Sequence, residues 1–245
     1  MYHLDICHLY PDQLHSYGDD GNLTILKKRM EWRGHTLTIH PISLGEPLDP
    51  SLYDLIFIGS GENHKMLQII SDFNQKKAAS IHEVMHQDKV ILAICNGFYL
   101  LGNSYQTARM ENIELSHLLD FTIRNDHKRS SGDIIIRDHD RLLLTGFENH
   151  HSVVQLGPDL LPFAHTLHGI GNNGTDQTEG VRYRNTFGTH LHGPLLADNP
   201  AFADKLLTLA LQNKYGQIHL SLLDDSLENE ARQCVLKRYQ INDCT

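Results

Sequence analysis

Five consecutive apolar residues, Val90-Ile91-Leu92-Ala93-Ile94, are followed after only Cys95, Asn96 and Gly97 by Phe98-Tyr99-Leu100-Leu101. The first run reads as a short strand buried on both faces and the second as the opening turn of a helix, which puts Cys95 on the turn between them. A strand with no polar face needs neighbours on both edges and cover above and below, and this is met in a parallel sheet flanked by helices. On so sharp a turn a side chain is lifted above the sheet, and the backbone N–H groups that follow point at whatever binds there. That setting suits a nucleophile. The positive end of a helix lowers a thiol pKa, and the same N–H groups can hold an oxyanion. Gly97 keeps the turn free of a clashing side chain. A lone cysteine can equally be a small buried hydrophobe, so a second element is needed.

That element lies about a hundred residues downstream in Asn185-Thr186-Phe187-Gly188-Thr189-His190-Leu191-His192-Gly193-Pro194. The alternating segment ends in His-Gly-Pro, leaving a histidine where a strand must turn. A cysteine and a histidine far apart in sequence, each at a strand end, fit nucleophilic acyl transfer, with the histidine moving the thiol proton.

In order, Leu4 to Leu9 reads as a first strand, Pro11 to Asn22 as a loop, and Leu23, Ile25, Leu26 and Met30 as one side of a helix stopped by Gly34. Leu37 and Ile39 mark a second strand, Leu55 to Ile58 a third that feeds Gly59-Ser60-Gly61, and Ala78 to His86 a crossover helix. This alternation predicts an α/β fold with a doubly wound, mostly parallel sheet and sites at the carboxyl ends of its strands. Between Asn103 and Pro162 the pattern is least regular, with Ile134 to Ile136 and Leu142 to Leu144 the clearest strands. Pro200 to Tyr215 reads as an amphipathic helix, and Ser221 to Tyr239 as another in a tail. We expect one domain over 1–216 and a helical tail over 217–245, packed on that domain or on a partner.

Further segments fall into one series with the elbow. They are Leu9-Tyr10-Pro11-Asp12, Tyr17-Gly18-Asp19-Asp20-Gly21-Asn22, Phe57-Ile58-Gly59-Ser60-Gly61, Arg129-Ser130-Ser131-Gly132-Asp133-Ile134, Gly146-Phe147-Glu148-Asn149-His150, Gly171-Asn172-Asn173 and Glu179-Gly180-Val181. Across residues 4 to 215 this series resembles the class I, triad-type glutamine amidotransferases of the cobyric-acid-synthase-like branch. Within that branch it looks like the glutaminase subunits of lipid II isoglutaminyl synthases.

The resemblance implies a flavodoxin-like glutamine amidotransferase fold and hydrolysis of L-glutamine to glutamate and ammonia. It implies Cys95 and His192 as the catalytic pair, the N–H groups of Asn96 and the Gly61 loop at the oxyanion, and Arg129 orienting the substrate carboxylate. It also implies a Mur-ligase-like (MurT-like) synthetase subunit as partner in a heterodimer, amidating D-glutamate of the lipid II stem peptide. No G-x-x-x-x-G-K-[ST] phosphate loop occurs in this sequence, so the acceptor activity is expected on another polypeptide. Several positions depart from the family pattern. Pro194 stands where many relatives carry a glutamate that orients the histidine, implying a Cys-His dyad or a third group elsewhere. Asn96 replaces a glycine, Ser60 replaces a loop glycine, and Tyr99 stands where a glutamine commonly contacts the substrate. A free-standing cysteine amidohydrolase acting on another amide, or a non-catalytic binding subunit, are the alternatives these departures leave open.

A net charge of −9 over 245 residues disfavours nucleic acid as a partner. The hydrophobic share of 40% and charged share of 21% are those of an ordinary globular chain. The cysteines, Cys7, Cys95, Cys234 and Cys244, lack CxxC spacing and read as free thiols. Asn149-His150-His151 and His190-Leu191-His192 could suggest a metal site, but no carboxylate or cysteine recurs nearby at ligand spacing, so neither metal nor cofactor is expected. No apolar run approaches membrane-spanning length. The expected location is the cytoplasm, near the inner membrane surface through a partner's lipid-linked substrate.

Overall fold

The computed structural model describes residues 1–242. Strand β1 (His3–Leu9) leads through a loop into helix α1 (Asp20–Glu31), which buries Leu23, Leu26 and Met30. The helix begins within the stretch read as loop and is stopped as expected at Gly34, whose φ of +71° lets the chain turn back into β2 (Thr36–Ile42). Strand β3 (Leu55–Ile58) is buried along its whole length. It is followed by α2 (Asn63–Asp72), which the sequence reading did not separate from its surroundings, and, after a wide turn at Phe73–Lys77, by α3 (Ala78–His86). Strand β4 (Val90–Ile94) has no exposed residue and runs straight into the single turn α4 (Asn96–Tyr99).

The segment read as irregular is a second sheet. It comprises β5 (Ser104–Gln106), β6 (Asn112–Glu114), β7 (Phe121–Asp138) and β8 (Leu143–Leu156), joined by β9 (Ala164–His168) and β10 (Thr178–Glu179). Its order is β10-β9-β7-β5-β6 with β8 also on β7, and every pair except β5–β7 is antiparallel. The chain then returns through β11 (Val181–Tyr183) and β12 (Thr186–Thr189) to the first sheet, followed by α5 (Leu195–Asp198), α6 (Pro200–Tyr215) and α7 (Ser226–Arg238).

The first sheet has the order β11-β12-β4-β3-β1-β2 and is parallel except at its β11 edge. The chain winds outward from β1 to β2 and then the other way through β3 and β4 to β12. This is the α/β arrangement the sequence predicts, and it sets the carboxyl ends of β3, β4 and β12 side by side. The two sheets meet where His192 and Phe147 form an antiparallel bridge.

The tail is fastened by charge and by apolar contact. Arg29, only 2% exposed, makes paired bonds to Asp204 and Asp225, at 2.7 and 2.7 Å and at 2.6 and 2.9 Å. Leu236 of α7 is buried with Ile135 and Leu143. Cys7 and Cys95 are buried free thiols and Cys234 an exposed one; Cys244 lies outside the described residues. Among the described residues no helix is long and apolar enough to cross a membrane.

Candidate active site

Cys95 has φ +48° and ψ −113°, a conformation that costs a non-glycine residue energy and persists because its surroundings fix it. Its N–H donates to the Thr189 carbonyl of β12 at 2.8 Å, and its own carbonyl accepts from the Tyr99 N–H at 3.0 Å. Gly97 is required by contact: a Cβ there would lie 2.5 Å from the Gly59 carbonyl oxygen and 2.6 Å from that of Ile58. The elbow is thereby pressed against the Gly59-Ser60-Gly61 loop. That loop is held in turn by the N-terminal segment, since the Ser60 N–H donates to Asp19 Oδ2 at 2.5 Å and the Ser16 N–H to the Ser60 carbonyl at 2.9 Å. Asp19 is fully buried, and burial pushes its carboxyl up to about 7.

The Cys95 thiol differs from the sequence expectation. Burial pushes it up to about 12, with the Tyr99 hydroxyl and the Asn96 N–H pulling the other way. α4 is a single turn, so its dipole is small, and desolvation of the charged form outweighs it. The resting cysteine is a neutral thiol. It donates from Sγ to the Tyr99 hydroxyl at 3.8 Å. The Asn96 side chain, which replaces a hydrogen atom in the family pattern, is drawn back toward α2, where its Nδ2 donates to Asn63 Oδ1 at 2.9 Å.

These groups open on a cavity of about 320 Å³. Cys95, Asn96, Gly61 and Arg129 all line it, so four of the residues read from the sequence converge on one space. Arg129 reaches it from β7 beside a register shift between Asn125 and Ser130, the kind of irregularity that re-aims a side chain. Its Nε donates to Asn149 Oδ1 at 2.7 Å, and Asn149 Nδ2 donates to the Tyr17 hydroxyl at 3.0 Å.

His192 is placed differently. It does not line this cavity, it is 1% exposed, and neither ring nitrogen has a hydrogen-bond partner. Its backbone exchanges bonds of 2.8 and 3.0 Å with Phe147, and the Tyr17 ring packs on it at 4.5 Å. Burial, with the nearby His150, depresses its pKa to about 4, so the imidazole is neutral.

His190, to which the sequence reading gave no catalytic role, is the histidine linked to the cysteine. Its Nε2 lies 3.1 Å from the Tyr99 hydroxyl and its Nδ1 3.3 Å from Glu179 Oε1, and both His190 and Glu179 are fully buried. Glu179 also accepts from the His190 N–H at 2.7 Å and the Thr189 hydroxyl at 3.0 Å, while burial pushes its carboxyl up to about 8. The Tyr99 hydroxyl further bonds Ser152 Oγ. The His150 ring stacks on His190 at 4.1 Å. The signal available in the sequence was the alternation His190-Leu191-His192, which places both histidines on one side of an extended chain.

Residues 5–200 match the CobB/CobQ-like glutamine amidotransferase domain family. The chain is 39% identical over 232 residues to the glutamine-hydrolysing subunit GatD of lipid II isoglutaminyl synthase from Streptococcus pneumoniae, covering 94% of this chain and 89% of that protein. It is 31% identical to the corresponding subunit of Staphylococcus aureus, covering 97% of each. Among solved structures, PurLQS from Thermotoga maritima superposes with a TM-score of 0.55 at 17% identity, covering 86% of this chain and 96% of that one. The glutaminase domain of Trypanosoma brucei CTPS also gives 0.55, at 13% identity over 89% of this chain and 96% of that one. These two likenesses establish the fold.

Proposed function

The chain belongs to the CobB/CobQ-like glutamine amidotransferase family and is a glutamine-hydrolysing amidotransferase, and from that premise we propose that it is the glutaminase subunit of a lipid II isoglutaminyl synthase, using a cysteine thioester mechanism. The observation that carries the reading is a cysteine on a strained strand-to-helix turn that opens on the same cavity as a guanidinium and two candidate oxyanion donors. Glutamine enters with its α-carboxylate on Arg129, where the guanidinium offers paired charge-assisted bonds. Cys95 Sγ attacks the side-chain amide carbon. The N–H groups of Asn96 and Gly61 take the oxyanion, an interaction strongest as charge develops.

His192, neutral because it is buried, hands the proton released by the Cys95 thiol to the leaving nitrogen as the C–N bond breaks, and ammonia departs to leave a thioester. The same imidazole then takes a proton from water, which attacks the thioester and releases glutamate. The ammonia passes to a Mur-ligase-like, MurT-type subunit that amidates D-glutamate of the lipid II stem peptide. This assignment is supported by the two relatives, both named as subunits of that synthase. The division into a domain over 1–216 and a tail over 217–245 belongs to the same proposal, with α7 bracing the second sheet through Leu236 and with Tyr239 beyond it against His168 of β9.

The test is release of ammonia and glutamate from glutamine by the purified chain, alone and with a MurT-type partner. Cys95→Ala and His192→Ala are each expected to abolish it. Unchanged release from either variant would remove that residue from the mechanism, and no release by a folded wild-type complex would reject the glutaminase assignment.

A further inference from the structure

Beneath the cavity lies a set of buried titratable groups that the mechanism above leaves unused: Tyr99, His190 and Glu179, flanked by His150 and Glu148. We propose that Tyr99 is a catalytic residue of this chain, its hydroxyl carrying the Cys95 thiol proton to His190, which the Glu179 side chain positions from behind. The inference deepens the glutaminase reading and rests on Cys95 being the nucleophile.

The contacts allow the chain of groups one consistent polarity. With its proton on Nδ1, His190 turns that N–H toward Glu179 Oε1 at 3.3 Å, a contact outside hydrogen-bond geometry, while Glu179 is held by the His190 backbone N–H and the Thr189 hydroxyl. That leaves the His190 Nε2 lone pair facing the Tyr99 hydroxyl at 3.1 Å. The phenol then donates to His190, and its oxygen is free to accept from Cys95 Sγ–H at 3.8 Å and from Ser152 Oγ–H. A thiol, a phenol, an imidazole and a carboxyl, each no more than 4% exposed, thus stand in line with every proton directed inward from the sulfur. Tyr99 also lines the cavity, and its hydroxyl is in contact with the Cys95 sulfur.

The step balances without an added reagent. The phenol O–H bond breaks as its proton bonds to His190 Nε2, and the Cys95 S–H bond breaks as its proton replaces it on the phenol oxygen. The S–H electron pair stays on sulfur as the nucleophile, and the imidazolium formed faces the Glu179 carboxyl group. Neutral Tyr99 persists throughout. Such a route answers a difficulty of the resting site, in which the thiol has its hydrogen bond to Tyr99 and His192 lies outside the cavity with both nitrogens unpartnered. As the C–N bond breaks the proton held on His190 returns through Tyr99 and reaches the leaving nitrogen by way of His192, which then takes the water proton of thioester hydrolysis. The groups facing this relay are His150, stacked on His190, Glu148, which shares the buried region with Glu179, and His192 on the adjoining turn.

The experiment compares wild type with Tyr99→Phe, His190→Gln, Glu179→Gln and Cys95→Ala in the full chain with its partner subunit. It measures kcat and KM for glutamine and, separately, peptide-resolved alkylation of Cys95 by iodoacetamide across pH 6 to 9. Tyr99→Phe keeps the ring and removes the hydroxyl. The expected result is a loss of roughly 100-fold in kcat with KM within threefold, the usual scale of a proton-transfer contribution. Alkylation of Cys95 should fall in parallel and shift to higher pH, a readout that a packing role for the ring would not produce. His190→Gln should reproduce both effects, and Glu179→Gln should do so more weakly. Wild-type kcat and alkylation in either Tyr99→Phe or His190→Gln would overturn the relay. If Tyr99→Phe fails to fold, the alkylation profiles of the other two variants decide in the same way. Cys95→Ala separates the premises: retained glutamine hydrolysis there rejects the cysteine mechanism, whereas an inactive Cys95→Ala beside a fully active Tyr99→Phe rejects the relay alone.

Discussion

The two walls of the cavity are built by different means. The nucleophile wall comes from the parallel sheet, where β4 is apolar throughout, close backbone approach at Gly97 fixes the elbow, and a strained Cys95 is held by its neighbours. The recognition wall comes from the antiparallel β7–β8 hairpin, which presents Arg129 and Asn149 on a half-solvated surface, with Ser152 buried against Tyr99. Rigid, buried backbone suits the group whose position must be exact within fractions of an ångström, and an exposed hairpin suits groups that meet a polar substrate arriving from water.

The sharpest break of the comparison is Cys95→Ala, which leaves the recognition wall intact. Hydrolysis should fall by at least about 10⁴-fold while glutamine still protects the chain in a thermal shift, as expected when a nucleophile is removed from an otherwise complete site. Loss of ligand protection together with activity would mean that the two walls are not independent.

Next in size is an effect of pH on folding. His192 is neutral with a folded pKa of about 4 against an ordinary 6.5, so the unfolded chain takes up its proton first as pH falls. The stability its neutral burial sustains is therefore present above pH 6.5 and lost between 6.5 and 4, by up to about 3 kcal/mol. His192→Gln should flatten this part of the profile in urea unfolding at pH 7.5, 6 and 5. A variant whose stability declines as steeply as wild type would assign the acid sensitivity to other groups.

On the recognition wall, Arg129→Ala removes hydrogen bonds to a charged substrate group, each worth about 1.5–3 kcal/mol. KM should rise roughly 10- to 100-fold with kcat less affected. A change confined to kcat would move Arg129 into the chemistry. The smallest effect belongs to Asn149→Ala, which frees the guanidinium from its 2.7 Å contact and should raise KM by roughly fivefold, about 1 kcal/mol. An Asn149→Ala effect as large as that of Arg129→Ala would show that Asn149 itself contacts the substrate.

The same contrast explains what could be read from the residues. The elbow was legible because its causes are local: an apolar run of strand length, a cysteine and a glycine in adjoining positions. The β7–β8 hairpin was not. Its central stretch, Arg124 to Asp133, is polar and interrupted by a register shift, and those of its residues that pair do so with partners roughly 15 to 30 positions away, so no window on the chain holds both partners. Helix α2 carried a signal in Met66, Ile69 and Ile70, but it is short and merges with the helix beyond it. Arg129 and Gly61 came from resemblance. The pairing of His190 with Glu179 escaped because β10 of the second sheet supplies one member and the turn after β12 of the first supplies the other, and a buried polar contact has no sequence spacing of its own. The thiolate expected at Cys95 failed for a related reason: burial, which a linear chain does not display, outweighs one turn of helix dipole.

The bridge between His192 and Phe147 gives the histidine two masters. It follows β12 in the chain, yet both its N–H and its carbonyl are tied to β8, and Gly146 is bare enough for that strand to come close, since a Cβ there would sit 3.0 Å from the His192 carbonyl oxygen. In mechanical terms the imidazole rides on the hairpin that carries Asn149 and Ser152, while the cysteine is anchored to the opposite frame. The spacing of cysteine and histidine is therefore set by how the two sheets are held against each other at this bridge.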